Sequence, residues 1–453
     1  MNITFTKRNG HGHLLLLMAG WGMDYNPFAE LDVPGYDIAI TWDYRDENLD
    51  RKCLEGYREI VLIAWSMGVM EADRILSGLQ LPLTLTVAVN GTLNPVSDTD
   101  GIPVNVFKGT LDTLSADSLK RFNKRMCGNR DSLALFESKA PERDIENLKE
   151  ELMILGERAT EPHKSLRWDL VVIGTRDLIF PAAAQRHAWT GREIMEIDAP
   201  HLPDFRTIIN DLIIDKGRVA HCFHETRNSY DTDASIQDNV ARNLNEMLLN
   251  ATGHRDFENV VEIGPGGGQL THRLLDSFRI SQLELWDIAP ISIICDKDVR
   301  CQVITDDAEA RLFEIHSDSI DLVASASTLQ WFNSVPAAIK NITRILRPGG
   351  LAAIALYTCG TFKTLSELTG SHLRYVTPDS LKTHLHAYCK IIELKTETFT
   401  QCFASTRDLL SHIKATGVNG TRKVNPGTIK HLIENNSIRT LEYTCTFIIF
   451  EKI

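Results

Sequence analysis

No apolar run in this 453-residue sequence approaches the ~20 residues that a membrane-spanning helix requires. The apolar run HLLLLM, residues 13–18, follows Lys7 and Arg8 as the core of a signal peptide would, but it is too short and no convincing cleavage site follows it. We therefore expect no membrane association and no secretion signal, and interpret HLLLLM as a buried first strand.

The sequence also lacks an excess of positive charge and any closely paired cysteines. The formal net charge is -12, whereas a nucleic-acid-binding surface is normally basic. The nine cysteines are scattered and form no C-x-x-C pair, which is typical of a reduced, cytoplasmic protein without a structural metal. We expect a cytoplasmic protein with no nucleic-acid partner and no metal, in which a local patch binds any acidic partner.

Two series of apolar strands alternate with helical sequence, the pattern of parallel α/β sheets. The first series is interrupted over about residues 106–162 by polar, helix-forming sequence, which we interpret as a lid. The second series starts near residue 259, and its last two strands suit an antiparallel end. We place the boundary at 215/216 and expect two α/β domains, residues 1–215 and 216–453.

Ser66 stands between an apolar strand and a helix in EIVLIAWSMG. A nucleophilic serine requires such a tight turn, with small neighbours and a helix N-terminus that presents N–H groups to an oxyanion. Gly68 fits the G-x-S-x-G pattern, whereas Ala64 replaces its first glycine. The alternative is a serine that merely caps a helix.

A triad on this kind of sheet has the chain order serine, acid, histidine. Asp177 follows the strand DLVVIG and His201 follows REIMEI, so both stand where strands end. Asp198 and Asp204 are nearer to His201 in sequence and remain alternatives for the acid, although neither follows a strand directly.

The second oxyanion donor on this kind of fold comes from the loop after the first long strand. That loop is AGWGMD, and the backbone N–H groups of Trp21 and Met67 are therefore the candidate donors. Gly20 and Gly22 would allow a substrate to approach the backbone closely, or they form an ordinary turn.

AGWGMD, AWSMGVMEA, GTLDTLSADSLKRFNKRM and GTRDLIFPAAAQRHAW together resemble pimeloyl-[acyl-carrier protein] methyl ester esterases of the BioG type. The resemblance covers about residues 1–215 and implies an α/β-hydrolase with a helical lid. It also implies that Ser66 is the nucleophile, His201 the base and Asp177 the acid. The substrate would be the methyl ester of pimeloyl-acyl-carrier protein.

Four cations of the predicted lid fall on one side of a helix, and we name them the basic face: Lys120, Arg121, Lys124 and Arg125. Acyl-carrier proteins are acidic, so this face would suit one as a partner. The alternative is a solvated helix face with no partner.

The glycines of VVEIGPGGGQL separate a strand from a helix where a cofactor needs backbone contact. The spacing does not match the dinucleotide-binding pattern G-x-G-x-x-G, because Gln269 occupies the position of its last glycine. The run resembles motif I of class I S-adenosylmethionine-dependent methyltransferases. That resemblance implies that the following residues bind the cofactor: Glu262, Gly264, Gly266, Gly268, Asp287, Asp307 and Ala308. The alternative is a plain turn with solvated acids.

RVAHCFHETRNSYDTDASIQDNVARNL, STLQWF, GTFKTLSELTG and STRDLLSHIKATGVNG resemble malonyl-[acyl-carrier protein] O-methyltransferases of the BioC type, over about residues 216–453. The resemblance implies methylation of the free carboxyl of a malonyl thioester, on a carrier protein or on coenzyme A. Tyr230 would close over the cofactor, or it is a packed surface tyrosine. Arg227 and Arg407 are guesses for a cation that binds the carboxylate.

The two resemblances imply one chain that makes and breaks methyl esters at two stages of biotin synthesis. Methylation would hide the malonyl charge while the chain is lengthened, because burying a bare carboxylate in an apolar pocket costs several kcal/mol. Two alternatives stay open: a generic carboxylesterase fused to a small-molecule methyltransferase, and an inactive hydrolase-like module that docks a carrier protein.

Overall fold

The computed structural model describes residues 1–233, 235–253, 256–295, 298–370, 373–386, 389–416 and 425–453, without the side chains of residues 227–233. The chain divides into two compact units, residues 1–210 (unit 1) and 211–453 (unit 2). Each unit is built around one seven-stranded sheet.

The sheet of unit 1 has the order β1-β3-β2-β4-β5-β6-β7 and is parallel except for β1, which pairs antiparallel with β3. The central strands are almost continuously apolar and buried, as both faces are covered. The sequence interpretation missed β1, whose side chains are only partly buried. The strands are β1 (Asn2–Lys7), β2 (His13–Met18), β3 (Tyr36–Trp42), β4 (Glu59–Trp65), β5 (Leu83–Val89), β6 (Leu170–Gly174) and β7 (Ile194–Ile197).

Four helices stand between β5 and β6, and we name α2 to α5 the inserted helices. The side chains of Ser115, Asn129 and Asp144 start α3, α4 and α5 by accepting a hydrogen bond from a first-turn N–H. The helices of this unit are α1 (Gly68–Leu76), α2 (Val104–Asp112), α3 (Ala116–Cys127), α4 (Arg130–Glu137), α5 (Ile145–Arg158), α6 (Ala182–Ala188) and α7 (Phe205–Leu212).

The sheet of unit 2 has the order β10-β9-β8-β11-β12-β14-β13. The first five strands in this order are parallel to one another. β14 pairs antiparallel with both β12 and β13, which gives the antiparallel end that the sequence predicts. This is the class I methyltransferase fold. The strands are β8 (Phe257–Ile263), β9 (Ile280–Asp287), β10 (Arg300–Thr305), β11 (Ile320–Ala326), β12 (Leu346–Tyr357), β13 (Cys389–Cys402) and β14 (Thr440–Lys452).

Helices cover both faces of this second sheet, because consecutive residues of a strand point to opposite faces. Val260 and Leu322 belong to one core cluster, whereas Val261 and Val323 belong to the other. The helices are α8 (Lys216–Asp233), α9 (Ser235–Thr252), α10 (Gln269–Ser277), α11 (Ala308–Arg311), α12 (Val335–Ile345), α13 (Lys363–Thr369), α14 (Pro378–His386), α15 (Thr406–Ala415) and α16 (Pro426–Glu434).

The sequence predicts reduced cysteines. In the structure Cys295 and Cys301 lie side by side, with their Cα atoms 6.3 Å apart, a distance that a disulfide can span. Sequence spacing gave no sign of the pair. In the parts of the chain that the structure describes, every helix is too short or too polar to cross a membrane.

Candidate active sites

Ser66 occupies the sharp turn between β4 and α1. Its φ of 59° lies in the left-handed region that residues with a Cβ rarely adopt, at a cost on the order of 1 kcal/mol or more. Glycines allow this turn to pack tightly: a Cβ on Gly68 would lie 2.5 Å from the Met18 carbonyl oxygen, and one on Gly91 would lie 2.3 Å from the Ser66 carbonyl oxygen. The turn places the Ser66 hydroxyl at the carboxyl edge of the sheet.

The structure brings Ser66, His201 and Asp177 together from the ends of three strands. His201 Nε2 lies 3.1 Å from Ser66 Oγ, and His201 Nδ1 lies 2.8 Å from Asp177 Oδ2. All three residues are buried. With the ring proton on Nδ1, the histidine donates to the carboxylate and accepts from the serine, which is the arrangement of a nucleophile with its base.

Asp177 is held rigidly in this chain. Its Oδ1 accepts the backbone N–H groups of Ile179 and Phe180 at 2.7 and 2.8 Å, and its Oδ2 also accepts from Gln185 Nε2 at 3.2 Å. The two alternative aspartates have other partners. Asp198 is exposed and pairs with Arg176 at 2.5 Å, whereas Asp204 accepts from Arg206 and Thr207 at the start of α7.

The backbone of His201 is fixed by residues that the sequence interpretation missed. The His201 carbonyl accepts from Trp65 Nε1 at 2.8 Å and from Asn90 Nδ2 at 2.9 Å. Asn90 in turn accepts the N–H of Gly174 at 2.6 Å, at the end of β6. The ring of Phe180 stacks on the imidazole at 5.7 Å between centroids. These contacts set the orientation of the imidazole.

Trp21 and Met67 both line the small cavity, about 40 Å³, beside Ser66 and His201. Among the described residues, neither of their backbone N–H groups donates to a protein acceptor. Two donors at this place would suit the negative oxygen of a tetrahedral adduct on Ser66. Other apolar walls of the cavity include Ile102, Val106, Phe107, Phe122, Met126 and Leu152.

The basic face lies on α3, and its four side chains belong to exposed residues. Arg125 also lines the cavity, next to the solvent-exposed apolar side chains of Val106 and Leu178. The end of α3 contacts the histidine loop, since the Leu202 N–H donates to the Met126 carbonyl at 3.0 Å. The basic face is therefore connected to the mouth of the cavity.

Unit 2 contains a larger cavity, of about 340 Å³, at the carboxyl edge of its sheet. Gly264 and Gly266 border it with φ of 69° and 54°, values that other residues rarely adopt. Gly268, also predicted to bind the cofactor, has a φ of 85° but is not part of the cavity wall, whereas Gly267 is. A Cβ on Gly264 would lie 2.1 Å from Thr328 Oγ1, so this position admits glycine alone. The glycine run leaves room for a ligand against the backbone.

Glu262 reaches the same cavity from β8. Its carboxylate is buried, and Oε2 has no hydrogen-bond partner within the described ranges. Burial raises the pKa of Glu262 to about 8, and the nearby Asp287 carboxylate acts in the same direction. A buried acid with an unsatisfied oxygen requires a donor, and the ammonium group of an amino-acid-like ligand would provide one.

Asp287, Asp307 and Ala308 line the cavity beyond the glycines. Asp287 ends β9, where its two oxygens accept from the N–H groups of Gly266 at 3.1 Å and Ala289 at 2.9 Å. Asp307 starts α11 by accepting the Glu309 N–H at 3.0 Å. The acids at the end of β9 and after β10 thus border one space.

Lys216 was missed by the sequence interpretation. Its Nζ lies 2.9 Å from Glu309 Oε2 and 3.5 Å from Asp307 Oδ1, and it stands over the ring of Phe332 at 4.9 Å. It lines the cavity from α8. A single lysine near an expected domain boundary belongs to no sequence motif, so its position in the cavity wall could not be predicted.

Three further sequence candidates remain, and the structure describes the side chain of only one of them, Arg407. The side chains of Tyr230 and Arg227 lie outside the described part of the structure, although α8 contains both residues. Arg407 is exposed on α15 and is not part of the cavity wall.

Two family models match the chain. Residues 1–208 match the pimeloyl-ACP methyl esterase BioG family, and residues 261–354 match a methyltransferase domain. The chain therefore has a BioG domain at its N-terminus. The fold, the cavity and the matched domain make unit 2 a class I methyltransferase with S-adenosylmethionine as its cofactor.

Known proteins resemble the chain in whole or in part. A malonyl-[acyl-carrier protein] O-methyltransferase of Bacteroides fragilis is 34% identical over 90% of this chain and 84% of its own length. A protein of the same name from Chlorobium phaeovibrioides is 32% identical over 46% of this chain and 81% of its own. The crystal structure of BioG from Haemophilus influenzae is 35% identical, covers 44% of this chain and 94% of its own, and has a TM-score of 0.42. The chain belongs to the malonyl-[acyl-carrier protein] O-methyltransferase family.

Proposed function

We propose that the chain is a bifunctional enzyme of biotin synthesis. Unit 2 methylates the free carboxyl of malonyl-acyl-carrier protein, or of malonyl-CoA, and unit 1 hydrolyses the methyl ester of pimeloyl-acyl-carrier protein methyl ester. The observation that carries the proposal is the hydrogen-bonded series Ser66–His201–Asp177 in a chain whose other half is a methyltransferase. One chain then has the chemistry both to form and to remove a methyl ester.

In this proposal unit 1 is an α/β-hydrolase whose inserted helices form a lid. Ser66 Oγ attacks the ester carbonyl while His201 Nε2 takes the hydroxyl proton, and the N–H groups of Trp21 and Met67 bind the oxyanion. Methanol leaves with the proton from His201. A water molecule, activated by His201, then attacks the acyl-enzyme and releases the free carboxylate and Ser66. Asp177 stabilises the charged imidazole throughout.

The lid would also provide the contact with the carrier. The cavity walls are mostly apolar, as an acyl chain requires, and Arg125 connects the basic face to the cavity. Acyl-carrier proteins are acidic, so their approach to the basic face would be favourable even though the whole chain is negative. Carrier docking would then direct the methyl ester toward Ser66.

Unit 2 needs little acid–base chemistry. The cofactor supplies an electrophilic methyl group on a sulfonium. A carboxylate with a pKa near ~4 is ionised at neutral pH, so no general base is required. The tasks of the protein are to hold the reactants in line and to exclude water. Glu262 would hold the ammonium group of the cofactor, Asp287 the ribose hydroxyls, and Asp307 with Ala308 the adenine.

The two reactions avoid a futile cycle if they act on acyl chains of different length. A malonyl ester is neutral and tolerated in the apolar pocket of a chain-lengthening enzyme, whereas the bare carboxylate is not. Hydrolysis at the pimeloyl stage restores the charge. The order of the two steps thus follows from the cost of burying a carboxylate.

Mass spectrometry of the full chain tests the proposal. One sample contains S-adenosylmethionine with malonyl-carrier protein, and a second contains pimeloyl-carrier-protein methyl ester; we expect a gain of one methyl group in the first and a loss in the second. Ser66→Ala abolishes only the loss, and Asp287→Ala abolishes only the gain. Failure of the wild-type chain in the second sample, with success in the first, would reduce unit 1 to a docking module.

A further inference from the structure

The last inserted helix anchors the loop that contains Trp21. We name residues 19–23 the oxyanion loop. Three hydrogen bonds connect it to residues 143–151: Trp21 Nε1 to the Leu148 carbonyl (2.8 Å), the Gly22 N–H to the Glu151 carboxylate (3.4 Å) and the Arg143 guanidinium to the Met23 carbonyl (3.0 Å). The loop is thus attached to a segment more than a hundred residues away in sequence.

Glu151 is the centre of this attachment. It is fully buried, and besides the Gly22 N–H it accepts the Tyr44 N–H at 2.9 Å. Arg143 Nη2 lies 3.2 Å from Glu151 Oε2 and compensates its charge. Tyr44 itself donates its hydroxyl to the Ala19 carbonyl at 2.7 Å, at the start of the loop. The carboxylate therefore contacts the loop directly and also through its neighbour.

Stability alone does not account for a buried charge pair. Removing two ions from water costs several kcal/mol each, and apolar residues of similar size often stabilise a fold as well or better. Such a pair does impose a defined geometry. An oxyanion donor must lie within about 0.5 Å of its productive position, so the backbone at Trp21 requires a rigid anchor.

We propose that Glu151, paired with Arg143, is a positioning residue of the hydrolytic site that holds the Trp21 N–H in place through Gly22. The inference rests on the proposed esterase function and deepens it. The inserted helices are then more than a cover, because α5 completes the oxyanion-binding site from outside the sheet. A shift of α5 would displace the donor at Trp21.

Glu151→Gln in the full chain tests this inference. Hydrolysis of p-nitrophenyl butyrate is measured together with inhibition by an alkyl trifluoromethyl ketone, whose adduct with Ser66 has a negative oxygen in the place of the oxyanion. We expect kcat to fall about 10- to 100-fold with KM changed less than threefold, and Ki for the ketone to rise by the same factor as kcat falls. Cofactor binding by unit 2 stays at the wild-type value.

Asp169→Asn is the matched control, because Asp169 is also buried, paired with an arginine and bonded to a backbone N–H, but precedes β6 at the opposite edge of the sheet. It is expected to lower Tm without changing kcat or Ki. Tyr44→Phe, which deletes only the hydroxyl that donates to the Ala19 carbonyl, replaces Glu151→Gln if that variant is unfolded. If kcat falls and Ki rises by the same factors in Glu151→Gln and in Asp169→Asn, or if neither value changes in Glu151→Gln, the positioning role is overturned while the esterase function stands. A wild-type chain that hydrolyses no ester overturns the esterase and this inference together.

Discussion

Gly20 lies directly against Ser66: a Cβ at position 20 would stand 2.9 Å from the Cβ and 3.3 Å from the Oγ of the serine. Gly20→Ala should therefore displace the proposed nucleophile or the loop that faces it. Since a misplacement of about 1 Å can cost 100-fold in rate, we expect esterase kcat/KM to fall about 100-fold. Gly109→Ala is the control, because no atom lies within 4 Å of its added Cβ. Equal activity of the two variants would contradict the prediction.

The acid of the proposed triad is tested by Asp177→Asn. An amide in place of the carboxylate would favour the wrong imidazole tautomer and leave the imidazolium uncompensated, so kcat should fall roughly 10³- to 10⁴-fold while fold and KM are retained. Asp198→Asn removes a neighbouring exposed carboxylate and should change kcat less than twofold. Steady-state hydrolysis of a soluble ester measures both. The opposite ranking would make Asp198 the acid.

Local sequence and strand order are enough to predict where Ser66, Asp177 and His201 meet. Each follows a strand, and the carboxyl ends of parallel strands form one edge of the sheet. The same argument places Glu262, Asp287 and Asp307 at one cavity. Such residues are predictable because their position in the fold follows from the strand that precedes them.

The residues that support these groups could not be predicted in this way. Asn90 meets His201, and Glu151 meets Gly22, only because distant segments pack together, and neither asparagine nor glutamate has a local pattern that reports a tertiary partner. Cys295 and Cys301 likewise have no motif that predicts their approach. Contacts of this kind are properties of the packed structure.

The proposed role of Glu262 predicts that cofactor binding depends on pH. With a pKa of about 8 the empty site is mostly protonated at pH 7, whereas the ammonium group of the cofactor favours the carboxylate. Below pH 8 binding should release a proton, and the affinity should rise about tenfold per pH unit from about 6 to 7.5. Above pH 8 the affinity should fall again, because the α-amino group of the cofactor, with an ordinary pKa of about 8, then loses the proton that the carboxylate binds. Calorimetry in buffers of different ionisation enthalpy measures the proton release. Glu262→Gln should abolish the proton release, and Glu258→Gln, at an exposed position near the start of β8, should not.

The same ionisation opposes folding of the empty protein. The pKa of Glu262 in the folded state is above the ordinary value of 4.5, so the unfolded chain loses the proton first as pH rises. Stability should therefore fall between about pH 4.5 and 8, and Glu262→Gln should remove this part of the slope. Denaturant unfolding at several pH values, without cofactor, measures it. An unchanged slope would contradict the raised pKa.

Lys216 should contribute to cofactor affinity. It connects α8 to the acids that border the proposed adenine site, and Lys216→Met would leave Glu309 without its cation while keeping the N–H donors of Asn333 and Ser334. We expect Kd for S-adenosylmethionine to rise about tenfold, the value of one charge-assisted hydrogen bond. Lys340→Met, at an exposed lysine of α12, is the control. A Kd within twofold of wild type would limit Lys216 to a structural role.

Charge reversal on the lid separates carrier docking from ester chemistry. Lys124→Glu on the basic face should raise KM for pimeloyl-carrier-protein methyl ester about 5- to 10-fold, because an attraction becomes a repulsion, while hydrolysis of p-nitrophenyl butyrate is unchanged. The effect should shrink as salt is raised from 50 to 500 mM, since the Debye length falls from about 14 to 4 Å. Lys149→Glu, equally exposed but on α5, is the matched control. If both reversals raise KM equally, net charge rather than the basic face attracts the carrier; if neither does, the basic face is a solvated surface.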